Sequence, residues 1–256
     1  MSSRRISIIV PARNEAAQIR GTIEAVLMAL DELRRAEPAA YIEARTAEVE
    51  ILLVDNASTD ATVAVIADLA QRHHVRVVEC NRLGAAAARN VGAAHAAGDI
   101  LVFIDADTRV PADALVRIRE LVEEQNYAAG IFRLAAQQPG LRGGCWWMFW
   151  NAVRLLPLPR AKALPAFMFC TRRVFVDYGP FDETVAIGEE WPILADLYRA
   201  EPSRLVYDRT LTARTSGRRM ERQAFGYVRT FVKYVLAVLW APARVKYTDR
   251  IREEMP

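Results

Sequence analysis

ILVFIDADTR, residues 100–109, decides the fold. Five apolar residues run unbroken into Asp105-Ala106-Asp107. A short continuous apolar run that ends abruptly in polar residues reads as a strand buried on both faces, as in a parallel sheet. Such a strand delivers its last residues to the carboxyl edge of the sheet, where open α/β folds bind ligands. Two carboxylates one residue apart suit a hard divalent cation with oxygen ligands. The pair would serve equally as a polar loop ahead of the helix that opens at Pro111, so the surroundings must decide.

Upstream, the same grammar repeats. RISIIV (5–10), VEILLV (49–54) and VRVVE (75–79) read as strands, and helical periodicity covers Ala16–Arg35, Ala61–His73 and the Ala-rich Gly84–Ala97. Pro38 breaks the first helix and opens a surface excursion over 36–48. Downstream come a helix over 111–124 and a strand over 128–134. Alternating β and α with short links predicts a mostly parallel sheet with helices on both faces and right-handed crossovers.

The rhythm then breaks. Residues 137–165 hold three glycines, four aromatics and several prolines, and predict a long irregular excursion of the lid or acceptor-loop kind. AFMFC (166–170) reads as a strand, and Pro192 opens a helix running to about Arg199. Strand-like pieces at 204–207 and 210–214 lead to RTSGRR (214–219), and a basic amphipathic helix over about 219–240 closes the chain. This divides the chain into an α/β half (1–135), a second half of broken rhythm (136–218) and a C-terminal helix with its tail (219–256).

Composition narrows the function. A net charge of +3 gives no nucleic-acid footprint. Cys80, Cys145 and Cys170 are far apart and form no C-x-x-C, which argues against zinc and a disulfide scaffold and for a reducing, cytoplasmic setting. The longest late apolar run, YVLAVLWAPA (234–243), is well short of a membrane span. Trp146, Trp147, Phe149 and Trp150, with the aromatic and basic residues of the closing helix, suit a peripheral membrane contact at the inner face, or else the core or a homodimer contact.

Three of the strands end in acid. PARNE brings Glu15, VDNASTD brings Asp55, and the fourth strand brings Asp105 and Asp107. In a parallel sheet these ends share one edge, where several carboxylates repel unless a cation and ligand donors relieve them. No P-loop or GxGxxG is present to cradle phosphates instead.

VPARNEA, VDNASTDAT, GAAAARNVGA, FIDADT, FDE and GEE, in that order over residues 6–200, resemble the family-2 glycosyltransferases of GT-A fold. The resemblance implies an inverting transfer of sugar from a nucleotide-diphosphate donor to an acceptor hydroxyl, with Mg²⁺ or Mn²⁺ bridging the diphosphate. It matches Pro11, Arg13 and Glu15 to the first nucleotide-contacting segment, Asp55 to the base, Arg89 to the nucleotide's surroundings, Asp105 to ribose and metal, and Asp107 to the direct metal ligand. The Glu189-Glu190 pair falls where the family places its general base, with Glu190 in the position of an Asp. A late metal-facing histidine of many relatives has no counterpart, since His73, His74 and His95 all lie in the first half. In its place stands TSGRR, whose Arg218 and Arg219 suit a diphosphate. Two other functions stay open on the sequence: a nucleotidyltransferase, and a non-catalytic nucleotide-sugar-binding protein.

Overall fold

A computed structural model describes residues 4–36, 49–138, 140–162, 165–185, 188–217 and, of the closing segment, 231, 232, 235, 236 and 238. Its frame is a sheet of eight strands: β1 (Ile6–Ala12), β2 (Val49–Asp55), β3 (Val75–Glu79), β4 (Ile100–Ile104), β5 (Thr108–Arg109), β6 (Ala129–Ala136), β7 (Phe167–Thr171) and β8 (Leu205–Thr215). The order across the sheet is β3-β2-β1-β4-β7-β6-β8-β5. The first four strands are parallel. β7 runs antiparallel to both β4 and β6, β8 lies parallel to β6, and the short β5 pairs antiparallel with the end of β8.

Helices cover both faces, as the alternation predicts. α1 (Ile19–Ala36), α2 (Thr62–Arg72), α4 (Ala114–Glu123) and α5 (Leu141–Val153) bury side chains on one face. α3 (Ala85–His95), α6 (Arg172–Tyr178) and α7 (Trp191–Ala200) do so on the other. β4 shows why its run is unbroken: Ile100, Val102 and Ile104 enter the first core, while Leu101 and Phe103 enter the second. A strand buried on both faces has no polar side to display. The small residues of α3 let it lie close on the sheet. A Cβ on Gly92 would sit 2.4 Å from Ile9 Cγ2.

Two expectations need correction. The segment 137–165 is not irregular: it holds the 13-residue helix α5 and a 3₁₀ turn at Pro159–Ala161. No proline lies between 139 and 157. Trp146, Trp147 and Trp150 are buried while Leu141 and Met148 are exposed, so the helix is apolar all round and carries no readable period. The pieces at 204–207 and 210–214 are one strand, β8, with a register shift opposite Phe132 and Arg133. Asp208 sits at that irregularity, which accounts for the polar interruption in the sequence. The predicted helix over 219–240 lies mostly outside the described residues. Of it, Phe231, Val235 and Val238 pack against the first core.

Candidate active site

The register brings the acidic strand ends to one level. Ala12 lies beside Asp55, and Ile9 lies beside Phe103, so Asp105, two residues on, comes level with Pro11. The loop after β4 is held from three sides. Asp105 N–H donates to the Ala166 carbonyl at 2.9 Å, Thr108 N–H donates back to the Asp105 carbonyl at 2.9 Å, and Thr22 Oγ1 donates to the Ala106 carbonyl at 2.6 Å. The pairing of β5 with β8 then sets Thr108 beside Thr215. As a result Thr215 Oγ1 donates to Asp107 Oδ1 at 3.3 Å, and Ser216 N–H donates to the Asp107 carbonyl at 3.2 Å. The late T-S segment therefore meets the acidic loop. Arg218 and Arg219, which follow it, lie outside the described residues.

Arg89 joins the two halves of the site. Its side chain comes from α3 and is buried. Nη2 donates to Asp105 Oδ1 at 2.6 Å and Nη1 to Glu189 Oε1 at 3.0 Å, with the guanidinium 5.4 Å from the Phe181 ring. Burial opposes its charge, but Asp105, Glu189 and Glu190 outweigh burial and hold the guanidinium ionised more firmly than usual. The next residue, Asn90, clamps the other motif. Its amide exchanges hydrogen bonds with both backbone groups of Phe181 and donates to Glu183 at 2.9 Å.

The edge formed by the ends of β1 and β2 shows unmet polar demand. Asp55 accepts from Ser58 N–H through Oδ2, while its buried Oδ1 has no partner. Arg13 Nη1 is likewise buried without a partner. Leaving such atoms unpaired costs about 1–3 kcal/mol each unless a ligand satisfies them. The loop carrying Arg13 and Glu15 is fastened to the loop after β2: Glu15 N–H donates to Thr62 Oγ1, and Asn14, at φ 54°, accepts from Thr59 N–H. Asn56 was not singled out by its type. It is buried, donates to the carbonyls of Cys80 and Arg82, and accepts from Gly84 N–H, which shapes the approach to α3.

Glu189 and Glu190 stand at the start of α7, with Pro192 in its first turn. Gly188 makes the turn possible: its φ is +85°, and a Cβ there would lie 2.4 Å from the Trp191 ring. Glu190 is 2% exposed, and its carbonyl accepts from Ile193 and Leu194 N–H. Arg154, just past α5, carries no motif that marks it in the sequence. It is fully buried, donates to Asn151 Oδ1 at 3.0 Å, and lies near the rings of Trp147 and Tyr207. Burial pushes its pKa down to about 10, against the pull of Tyr207 and Glu190.

Among the described residues, no three His, Cys, Asp or Glu side chains gather as a metal site. The donor set still fits Mg²⁺ or Mn²⁺, which takes one or two protein carboxylates and completes its shell with phosphate oxygens and water. Asp105 is committed to Arg89, while Asp107 sits with the hydroxyl of Thr215.

Residues 7–183 match the family Glycosyl transferase family 2. The chain belongs to this family. An undecaprenyl-phosphate 4-deoxy-4-formamido-L-arabinose transferase of Sodalis glossinidius (strain morsitans) is 32% identical over 145 residues, covering 56% of this chain and 41% of that protein. The namesake transferase of Klebsiella pneumoniae (strain 342) is 28% identical over 147 residues, 53% of this chain and 41% of that protein. The chain thus spans less than half the length of these relatives. In fold it resembles a mannosyltransferase from Pyrobaculum calidifontis solved with GDP-Man and Mn²⁺, with TM-score 0.61, 20% identity and coverage of 100% of this chain and 66% of that one. It also resembles glucosyl-3-phosphoglycerate synthase from Mycobacterium tuberculosis solved with Mn²⁺ and UDP, with TM-score 0.56, 18% identity and coverage of 93% and 80%. The GT-A fold expected from the motifs is the fold observed.

Proposed function

We propose that this family-2 protein transfers a sugar from a nucleoside-diphosphate sugar to an oxygen of a lipid-linked acceptor at the inner face of a membrane, with inversion. The observation that carries the reading is the Arg89 bridge, which holds Asp105 of the donor edge and Glu189 of the acceptor edge on one buried cation. Pro11, Arg13, Glu15 and Asp55 form the nucleotide side, and the unpaired Asp55 Oδ1 and Arg13 Nη1 are the atoms a base and ribose would satisfy. Residues 1–135 would then serve the donor, 136–218 the acceptor, and 219–256 the membrane side.

Asp107, with Asp105 behind it, would hold Mg²⁺ or Mn²⁺. When bound, that ion supplies Lewis-acid stabilisation of the charge that grows on the leaving diphosphate. Arg218 and Arg219 are suited to the same oxygens. Arg89 holds the Asp105 and Glu189 side chains in place. Glu190 takes the proton of the acceptor hydroxyl as that oxygen attacks the anomeric carbon from the face opposite the leaving group, which is the geometry of single displacement. The positive end of α7 favours its carboxylate form.

A nucleotidyltransferase would bring a Gly-rich, cationic phosphate loop after β1, whereas PARNEAA has no glycine. The relatives' names favour one second reading, in which the acceptor oxygen belongs to a lipid phosphate. A phosphate is already ionised and needs no base.

Incubation with a panel of nucleotide sugars and Mn²⁺, scoring free nucleoside diphosphate, tests the whole reading. Lack of turnover with every donor and lipid acceptor would leave a nucleotide-sugar-binding protein. Glu190→Gln then separates the acceptors: abolished turnover with intact nucleotide binding marks a hydroxyl, and turnover near wild type marks a phosphate. Asp107→Ala should weaken nucleotide binding in Mn²⁺ but not in chelator.

A further inference from the structure

Arg89 grips the acidic loop after β4 from the α3 side, through the Asp105 carboxylate. A second pair of side chains grips the same loop from the α1 side. Thr22, in the first turn of α1, is wholly buried. Its hydroxyl donates to the Ala106 carbonyl at 2.6 Å and accepts from Arg109 Nη1 at 2.7 Å. A hydroxyl that accepts from a cation becomes a stronger donor, so the chain from guanidinium to hydroxyl to carbonyl reinforces itself. What it holds is the peptide joining Ala106 to Asp107. Arg109 Nη2 also donates to Gln18 Oε1 at 3.3 Å, and Gln18 N–H donates to the Glu15 carbonyl at 2.9 Å. One guanidinium thus ties the loop that follows β1 to the loop that follows β4.

The helix leaves room for this arrangement. A Cβ on Gly21 would lie 2.5 Å from Arg109 Nη2, 2.8 Å from Cζ and 2.9 Å from Nε, so the guanidinium rests directly against the backbone of α1. Glycine inside a helix is disfavoured relative to alanine. Here its bare Cα is the seat of the guanidinium. Nor is the placement that of an arginine used for charge alone. Burial holds its pKa below the usual arginine value, although Glu24 and Asp107 attract the charge. Its hydrogen bonds among the described residues nevertheless run to the neutral oxygens of Thr22 and Gln18. The geometry is that of a strut under the acidic loop.

We infer that Thr22 and Arg109 are positioning residues for Asp107: they fix the Ala106–Asp107 peptide so that the carboxylate meets a small divalent cation in the strict geometry such a cation requires. The inference rests on the reading of Asp107 as a metal ligand. Groups that orient a ligand without touching the ion set metal affinity nearly as strongly as the ligands do. Asp105 is restrained separately by Arg89, so slack in the strut is felt at Asp107. Mg²⁺ demands near-ideal octahedral coordination, whereas Ca²⁺ accepts a longer and more flexible shell. Loosening the strut therefore costs Mg²⁺ and Mn²⁺ more than Ca²⁺, and the site loses selectivity as well as affinity.

The experiment measures Mn²⁺ uptake by the full chain through loss of the free-ion paramagnetic resonance signal, and calorimetric binding of UDP and GDP in Mg²⁺, Mn²⁺, Ca²⁺ and chelator. Thr22→Val keeps shape and removes the hydroxyl, and should weaken Mn²⁺ uptake and Mg²⁺- or Mn²⁺-dependent nucleotide binding by about 10–100-fold. Binding in Ca²⁺ and in chelator should be unchanged. Arg109→Met should do the same. By charge alone, removing a cation near Asp107 tightens metal binding, so a weakening there reports geometry. Gly21→Ala, which pushes the guanidinium off its seat, should follow them. Should Thr22→Val fail to fold, Arg109→Met, at the half-buried end of the strut, carries the test. Wild-type Mn²⁺ affinity in Arg109→Met overturns the inference, as does a loss that is equal in Mn²⁺, Ca²⁺ and chelator. Asp107→Ala scores the underlying reading: if it leaves Mn²⁺ uptake intact, or if the wild type takes up none, the ligand assignment and the strut fall together. Loss of Mn²⁺ in Asp107→Ala alone sinks only the strut. The expected pattern in a chain that turns over no donor keeps the strut while the catalytic reading falls.

Discussion

Arg89→Met removes the cation on which the site is assembled while keeping an unbranched side chain of similar reach. The wild-type guanidinium makes two charge-assisted hydrogen bonds, at 2.6 Å to Asp105 and 3.0 Å to Glu189. Such bonds contribute roughly 1.5–3 kcal/mol each. The Asp105 side chain is 36% exposed and the Glu189 side chain 20%, so water recovers part of the loss at both carboxylates. Two adjacent acids that Arg89 had neutralised are left to repel each other across the site. The net expectation is about 3 kcal/mol of stability, which for a chain of this size lowers the melting temperature by roughly 6–12 °C. Turnover should fall further than folding explains. Glu189 and Asp105 lose their common anchor, and a shift of about 1 Å in reacting groups costs on the order of 100-fold. The assays are thermal melting and nucleoside diphosphate release at 20 °C, where the variant remains folded. Arg89→Lys keeps the charge but cannot fork to both acids, and should fall between the two. A variant Arg89→Met that melts within about 2 °C of wild type and turns over within twofold would refute the argument that this residue unites the two edges.

Three further outcomes are expected. Asp208 is held below the ordinary carboxylate range: burial works against its charge, but hydrogen bonds from Thr210 and Arg117 outweigh burial. A depressed carboxylate stabilises the fold above its unfolded pKa, near 3.8, and loses that contribution as pH falls through the folded value. Asp208→Asn should therefore be less stable than wild type at pH 7 by about 2 kcal/mol, with the gap closing in urea titrations below pH 4. Gly188→Ala forces a Cβ to 2.4 Å from the Trp191 ring at φ +85°, and should cost about 1–3 kcal/mol in urea unfolding while displacing Glu189 and Glu190 enough to lower turnover. Arg154→Met should move the acid limb of the pH–rate profile upward, since a cation that attracts Glu190 is gone, and Arg154→Lys should restore it. An unmoved profile would make Arg154 a packing residue only.

The acidic edge of β1, β2 and β4 was legible in the sequence because its information is local. β1, β2 and β4 each carry an apolar run and a polar stop within about ten residues, and parallel register turns those stops into one edge. The helix over 141–153 and the long-range links of the second half were not legible, for two physical reasons. α5 is apolar on every side, so periodicity cannot report a helix, and its glycines and the flanking prolines imitate a loop. The links that complete the site also span long stretches of chain: 100 residues from Arg89 to Glu189, and 108 from Thr215 to Asp107. Motif order put these residues on one list, but only the antiparallel return of β8 onto β5 explains why Thr215 and Ser216 arrive at Asp107. That return depends on the irregularity at Asp208, where β8 changes register against β6 and still stays paired as far as Ala136 and Thr215. A buried aspartate tied to Arg117 and Thr210 is thus far from the chemistry and yet sets where the late segment meets the acidic loop. Asp208→Asn should accordingly weaken Mn²⁺-dependent nucleotide binding at neutral pH as well as stability, and a variant that loses stability alone would break the link between the bulge and the site.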